Sequence, residues 1–216
     1  VTYTDESFAP ICQVSASPSF SCVRKDSGIT TFDELVEKAK ANPGTITVGT
    51  SGAGSSHHIG LAALGLGLAD DANLFKHIAY GGGAEAITNL LGGHVDATAT
   101  IWSEAAPYIE SGDFVPLFCN GPETPDSAGD LPCAADYDLT SDGGTWYAFA
   151  APAGTDQAIV DLLESTILDI MAQPETVQTF ENLGNPVVLL AQKEISEKWS
   201  SGYKNAEATL KAIGML

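Results

Sequence analysis

The sequence has little positive charge: 9 Lys and Arg residues stand against 28 Asp and Glu residues, giving a net charge of −19 over 216 residues. A field of this sign repels phosphate backbones, so the composition argues against a nucleic-acid partner. The sequence also lacks an apolar run long enough to span a membrane, and no basic-then-apolar secretory signal stands at Val1. We therefore expect either a cytosolic protein or one from which a targeting segment has been removed.

Cysteine is scarce, and its spacing fits no common metal site. The four cysteines form no CxxC or CxxH pair, which argues against zinc. An even number permits two disulfides in an oxidising compartment, and free buried thiols are the alternative. Nucleotide signatures are missing as well, because the chain has neither GxxxxGK[ST] nor GxGxxG with a downstream acid. We predict no metal and no cofactor. The cysteines are Cys12, Cys22, Cys119 and Cys133.

What the sequence does contain is a regular alternation of short apolar strands and amphipathic helices. Thr31 is a plausible N-cap of a helix that Pro43 and Gly44 stop, and "TITVGT" follows as a buried strand. This alternation predicts an α/β fold with largely parallel sheets. A later helix carries an apolar stripe of Ile159, Leu162, Leu163, Thr166 and Ile170.

Two turns of small residues, 50–57 and 80–84, each end a predicted strand and begin a predicted helix. A helix N-terminus has unpaired amide donors that attract anions, and glycine lets a ligand approach the backbone closely. Open α/β sheets bind ligands at the carboxyl ends of neighbouring strands. Ordinary tight turns with N-caps are the alternative. Because neither turn contains Lys or Arg, the predicted ligand is a small carboxylate held by amides and hydroxyls. The candidates are Thr50, Ser51, Gly52, Gly54, Ser55, Ser56, His57, Tyr80, Gly81, Gly82, Gly83 and Ala84.

An enzyme is a weaker hypothesis. Ser55 and His57 suggest a Ser/His hydrolase, but the chain has no GxSxG elbow. The adjacent rings of His57 and His58 point in different directions, which suits neither a metal pair nor a triad. We predict no catalytic residues.

Several segments in order carry a family resemblance: "SFAPICQVSASPSFSCV", "TITVGTSGAGSSHHIG", "IAYGGGAEAITNLLGGHVDATAT" and "FENLGNPVVLL". Together they resemble the periplasmic receptors of tripartite tricarboxylate transporters, also called Bug receptors. The resemblance implies a two-lobed, periplasmic-binding-protein-like fold of type II, a Venus flytrap. It also implies an extracytoplasmic protein that captures a small organic mono- or dicarboxylate and passes it to integral-membrane permease subunits. The effector-binding module of a LysR-type regulator, which is cytosolic, is the second candidate, and the hydrolase is the third.

The resemblance also divides the chain. Residues 1–18 would be a first-lobe strand and crossover, 19–120 the second lobe, 121–143 an irregular return region, and 144–216 the C-terminal part of the first lobe. The family usually begins earlier, with a β-α-β unit, so we expect an incomplete first lobe whose absent strands come from a preceding segment or a second chain.

The resemblance adds three residues to the candidate site: Ser17 in the first crossing, Thr100 and Trp102. The family commonly has Asp where this sequence has Thr100, so an amino group is a less expected ligand feature than in receptors for amino acids.

The crossing also bears on the disulfides. If Cys12 to Cys22 runs extended, at about 3.3 Å per residue, its ends lie beyond disulfide reach. Cys119 and Cys133 flank a short irregular loop, so we predict that these two are paired.

Overall fold

A computed structural model of the protein describes residues 3–139, 144–183 and 185–216. The predicted return region, 121–143, is thus described only as far as residue 139, and its last four residues lie outside the described ones. The chain divides into a first unit, Val1–Ser17 with Trp146–Glu207, and a second unit, Pro18–Thr145 with Ala208–Leu216. The lobe boundaries 1–18, 19–120 and 144–216 stay a prediction.

One strand, β1 (Phe8–Arg24), runs through 17 residues and supplies backbone to both units. Its middle is buried almost without interruption. The expectation that the chain is extended from Cys12 to Cys22 is therefore confirmed.

The second unit is built on strands in the order β3-β2-β4-β1-β5. β2 is parallel to β3 and to β4, whereas β1 is antiparallel to both β4 and β5. The expected parallel arrangement thus holds only for the three strands that alternate with helices. The strands are β2 (Thr47–Thr50), β3 (Lys76–Ala79), β4 (Ala97–Ile101) and β5 (Phe114–Asn120).

Four helices accompany this sheet, and the first shows how local sequence sets a boundary. The hydroxyl of Thr31 accepts the N–H of Glu34, and the Glu34 carboxylate accepts the N–H of Thr31 in return. This capping box satisfies donors that a helix start leaves open, and it confirms Thr31 as the N-cap. The helices are α1 (Phe32–Ala41), α2 (Ser56–Ala69), α3 (Gly83–Leu91) and α4 (Trp102–Glu110).

Alternate side chains of β1 enter two separate apolar clusters. Val23 packs in a cluster with Phe32 and Phe118, while its neighbour Cys22 packs in a cluster with Leu90. Strand side chains alternate between the two faces of a sheet, so each cluster covers one face. The sheet edge that carries the two candidate turns is therefore supported from both sides.

The first unit contains the start of β1 together with β6 (Gly144–Pro152) and β7 (Val187–Leu190), both paired with β1. Its helices are α5 (Gln157–Met171), α6 (Pro174–Asn182) and most of α7 (Gln192–Ala212). Within the described residues, no helix has the length and apolar character needed to cross a membrane.

The predicted stripe of α5 is not the side that packs inward. Ile159, Leu162 and Ile170 are 52%, 66% and 49% exposed, whereas Val160 and Met171 are buried with the start of β1. α5 has apolar residues around most of its circumference, so spacing alone did not identify the inner face. As expected, however, an apolar surface of this helix remains uncovered within the described residues.

Candidate ligand-binding site

The two predicted turns lie side by side in the second unit. Thr50 at the end of β2 is opposite Ala79 at the end of parallel β3, and the N–H of Tyr80 donates to the Thr50 carbonyl at 3.1 Å. A Cβ on Gly49 would lie 3.1 Å from the Tyr80 ring, which explains glycine there. The expectation that both turns occupy neighbouring strand ends is confirmed.

The start of α2 combines a cap with open donors. Ser55 is the N-cap, and its hydroxyl accepts the N–H of His58 at 3.2 Å. Gly54 has φ 72°, a left-handed conformation that glycine adopts without strain. Among the described residues, the N–H groups of Ser56 and His57 meet no acceptor. Two amides at an anion-attracting helix end are thus available to a ligand.

Behind this turn, two histidine rings stack with centroids 3.5 Å apart and planes 9° from parallel. His58 accepts the N–H of Gly54 at 3.1 Å, and Nε2 of His77 lies 2.6 Å from the Thr50 hydroxyl. Burial lowers the pKa of both rings, and the neighbouring His58 contributes to lowering the pKa of His77 to about 4. The pair is therefore neutral near pH 7 and holds the turn by hydrogen bonds.

His57 is the most unusual side chain of the turn. Its Nδ1 lies 2.9 Å from the Ser51 hydroxyl, and the residue is only 6% exposed. Its Nε2 is buried and has no hydrogen-bond partner among the residues that the structure describes. Burial lowers the pKa of His57, and the Glu104 carboxylate opposes this more weakly. A buried polar atom without a partner costs stability and points to a missing partner.

The start of α3 differs, because side chains of the chain itself already meet it. The N–H of Gly81 donates to the Glu85 carboxylate at 2.7 Å. A Cβ on Gly83 would overlap the Glu104 carboxylate, to which Thr100 donates a hydrogen bond. The N–H of Gly81, one of the predicted ligand-binding residues, is thus already bonded within the chain. Glu104 was not among the predicted ligand-binding residues, since only the fold brings it to this turn.

The remaining predicted site residues are distributed as follows. Thr100 is fully buried at the end of β4, and Trp102 is half-buried against Phe20, with ring centroids 4.9 Å apart. Ser17 belongs to the first unit, where its hydroxyl donates to Asn185 at 3.3 Å. The place of Ser17 in the candidate site stays a prediction.

The hydrolase hypothesis does not agree with these contacts. The serine whose hydroxyl lies beside the His57 ring is Ser51. Ser55, the proposed nucleophile, instead caps α2, because its hydroxyl accepts the backbone N–H of His58. The geometry gives no support to a hydrolase that uses Ser55.

The predicted disulfide is not formed. The backbones of Cys119 and Cys133 form a parallel β-bridge, but all four cysteines are free thiols. The Cys119 thiol is directed to the Glu123 carbonyl at 3.4 Å and the Cys133 thiol to the Pro122 carbonyl at 3.5 Å. Neighbouring backbones therefore do not bring the two sulfur atoms together, and the predicted pairing is wrong for this structure.

Comparison with known proteins shows which family this chain resembles. Residues 1–215 match the sequence model of the tripartite tricarboxylate transporter family receptor. A curated relative, the UPF0065 protein in the gbd 5' region of Cupriavidus necator, is 27% identical over 195 residues. The match covers 89% of this chain and 58% of that relative, so the chain spans less than two thirds of the relative's length.

Solved structures give the same fold. A TctC solute-binding protein from Polaromonas, without ligand, superposes with a TM-score of 0.84 at 23% identity, over 100% of this chain and 72% of that one. An R. palustris protein solved with adipate has a TM-score of 0.76 at 20% identity, over 96% and 69% of the two chains. The predicted α/β fold of the periplasmic-binding-protein kind is confirmed.

Proposed function

The chain belongs to the family of tripartite tricarboxylate transporter receptors, and from this membership we infer that it is an extracytoplasmic solute-binding receptor rather than an enzyme. We propose that it captures a small organic mono- or dicarboxylate and delivers it to integral-membrane permease subunits. The adipate found with the R. palustris structure is consistent with an acid ligand.

The observation that carries this proposal is the open start of α2. The N–H groups of Ser56 and His57 lack acceptors among the described residues. The hydroxyls of Ser51 and Ser56 lie in the same turn, at 2.9 Å from His57 Nδ1 and 3.1 Å from the Thr145 hydroxyl, respectively. We place one ligand carboxylate against these donors, between the turns 50–57 and 80–84. The buried Nε2 of His57 would then gain the partner that it lacks.

The energies are sufficient without a basic residue. A charge-assisted hydrogen bond is worth about 1.5–3 kcal/mol. Micromolar affinity corresponds to about 8 kcal/mol. Four such bonds of about 3 kcal/mol each total about 12 kcal/mol, which leaves about 8 kcal/mol after an association cost of about 4 kcal/mol. The net charge of −19 slows the approach of an anion, so capture depends on these local donors.

Calorimetry with a panel of organic acids tests the location of the site. We expect Ser55→Ala/Ser56→Ala to lower the affinity for the best-binding acid at least tenfold, because the double change removes the N-cap of α2 and one hydroxyl donor. Thr31→Ala is the matched control, since it removes the N-cap of α1 in the same unit at a similar cost of about 1 kcal/mol. Unchanged affinity in the double variant would place the site elsewhere.

We also propose that another polypeptide surface covers α5. Ile159, Leu162 and Ile170 are about half to two-thirds exposed, and Phe149 of β6 in the same unit is 49% exposed. Soluble monomers rarely leave large contiguous apolar patches in water. This surface would be a preceding segment of the same gene or a second copy of the chain.

Sedimentation and binding of an apolar fluorescent dye test this cover. We expect the isolated chain either to self-associate or to bind the dye, and Leu162→Gln to reduce whichever is seen. A monomer that binds no dye would contradict the proposal.

A further inference from the structure

We propose that Glu104 sets the specificity of this site. The preferred ligand is an acid whose other end, near the start of α3, carries a hydrogen-bond donor instead of a second carboxylate. This donor is a hydroxyl or an ammonium group. This inference rests on the proposed carboxylate-binding function and names its ligand class. It revises the expectation against an amino group, which relied on Thr100 standing in place of a carboxylate, because the Glu104 carboxylate lies next to Thr100.

The position of Glu104 is the first argument. Both of its carboxylate oxygens approach Gly83 so closely that a Cβ there would overlap them, and Thr100 donates a hydrogen bond to one of them. Gly83 begins α3, and the side chain of Glu104 is half-buried. The end of the site where the helix dipole would favour a ligand anion is therefore already occupied by an anion of the protein.

His57 supplies the second, independent argument. It belongs to the other turn, is 6% exposed and has a buried Nε2 that no described residue partners. The Glu104 carboxylate favours a higher pKa of this ring, against the larger effect of burial. Glu104 thus lies beside the start of α3, and the end of a ligand that reaches this turn would meet its carboxylate.

Hydrogen-bond capacity then decides what the ligand presents. A carboxylate has about four acceptor positions. The described contacts of Glu104 include one donated hydrogen bond, from Thr100. A ligand hydroxyl or ammonium group can donate to the remaining positions, whereas a ligand carboxylate cannot and would be repelled. The start of α2, which has open amides, takes the other end of the ligand.

Calorimetry with length-matched acids tests the preference. We would use succinate, 4-hydroxybutyrate and 4-aminobutyrate, and the six-carbon set of adipate, 6-hydroxyhexanoate and 6-aminohexanoate. The wild-type protein should bind a donor-terminated acid at least tenfold more tightly than the dicarboxylate of equal length. Comparison of the hydroxy and amino acids shows which donor is taken.

Glu104→Gln should remove this preference, because the affinity for the dicarboxylate should rise about tenfold and the affinity for the amino acid should fall about tenfold. Glu110→Gln is the matched control, since it makes the same change of charge at an exposed position of the same helix and should keep the wild-type order. Glu104→Asp retains the charge on a shorter side chain. It should keep the order at lower affinity, and it provides the test if Glu104→Gln does not fold.

The two proposals fail in different ways. If no acid of either set binds to any variant, the proposed function is wrong. If the wild type binds acids but prefers the dicarboxylate, or if Glu104→Gln leaves the order unchanged, the inference about Glu104 is wrong while the function stands.

Discussion

The stacked histidines predict that the second unit loses stability when the pH falls from 7 to 5. The pKa of His77 is lowered from 6.5 to about 4, first by burial and then by the neighbouring ring of His58. Within this window the unfolded chain binds a proton that the folded chain excludes, so stability is complete above pH 6.5 and declines toward pH 4. After an allowance for solvent at a part-buried ring, the free energy of unfolding should drop by about 1–2 kcal/mol.

Thermal unfolding followed by the fluorescence of Trp102 reports on the second unit once Trp146 and Trp199 of the first unit are replaced by Phe. The drop of 1–2 kcal/mol should lower Tm by about 2–8 °C between pH 7 and pH 5. Acidic residues titrate in part of the same pH range, so a comparison of variants is needed to assign the pH dependence to His77. His77→Gln should flatten the pH dependence, and His94→Gln, at an exposed histidine, should not. An equal pH dependence in His77→Gln and wild type would refute the reasoning.

Two further predictions concern packing and thiol chemistry. Gly65→Ala should cost about 1–3 kcal/mol because its Cβ would overlap the backbone carbonyl of Asp71, whereas Gly67→Ala meets only the flexible end of Leu139 and should be nearly neutral in the same urea titration. A similar loss in both variants would contradict this. Burial raises the pKa of Cys22 to about 12 and that of Cys119 to about 11, so alkylation of the native protein at pH 8 should be far slower than in urea, as mass spectrometry can follow. Rapid labelling of the folded protein would show that these thiols are accessible.

Features with a local cause were predictable from the sequence. The start of α1 follows from Thr31 and Glu34, which are three residues apart and satisfy each other's backbone donors. The neighbouring positions of the two turns follow from parallel strands joined by a helix, as α2 joins β2 to β3. In each case the residues that decide the structure lie within one element or its immediate connection.

Features with a distant cause were not predictable. The Cys119–Cys133 pairing failed because proximity of two backbones does not fix the direction of their thiols. The inner face of α5 depends on what packs against it, because its sequence offers apolar residues on several sides. The contact of His77 with Thr50 joins residues 27 apart, and no periodic pattern marks it.

The two helix starts show why small residues at a turn do not by themselves define an anion site. Both α2 and α3 follow a parallel strand and open with small residues, so the same dipole argument applies to each. At α3, however, Glu85 reaches back from the first turn of the helix, and Glu104 arrives from α4. At α2, the nearby hydroxyls and neutral rings bring no negative charge. Open amides do not separate the two starts, because Ser56 and His57 at α2 and Gly83 and Ala84 at α3 all have N–H groups without an acceptor among the described residues. In the proposed site, the distribution of the chain's own carboxylates is therefore expected to decide which end receives a ligand anion and which end receives a donor.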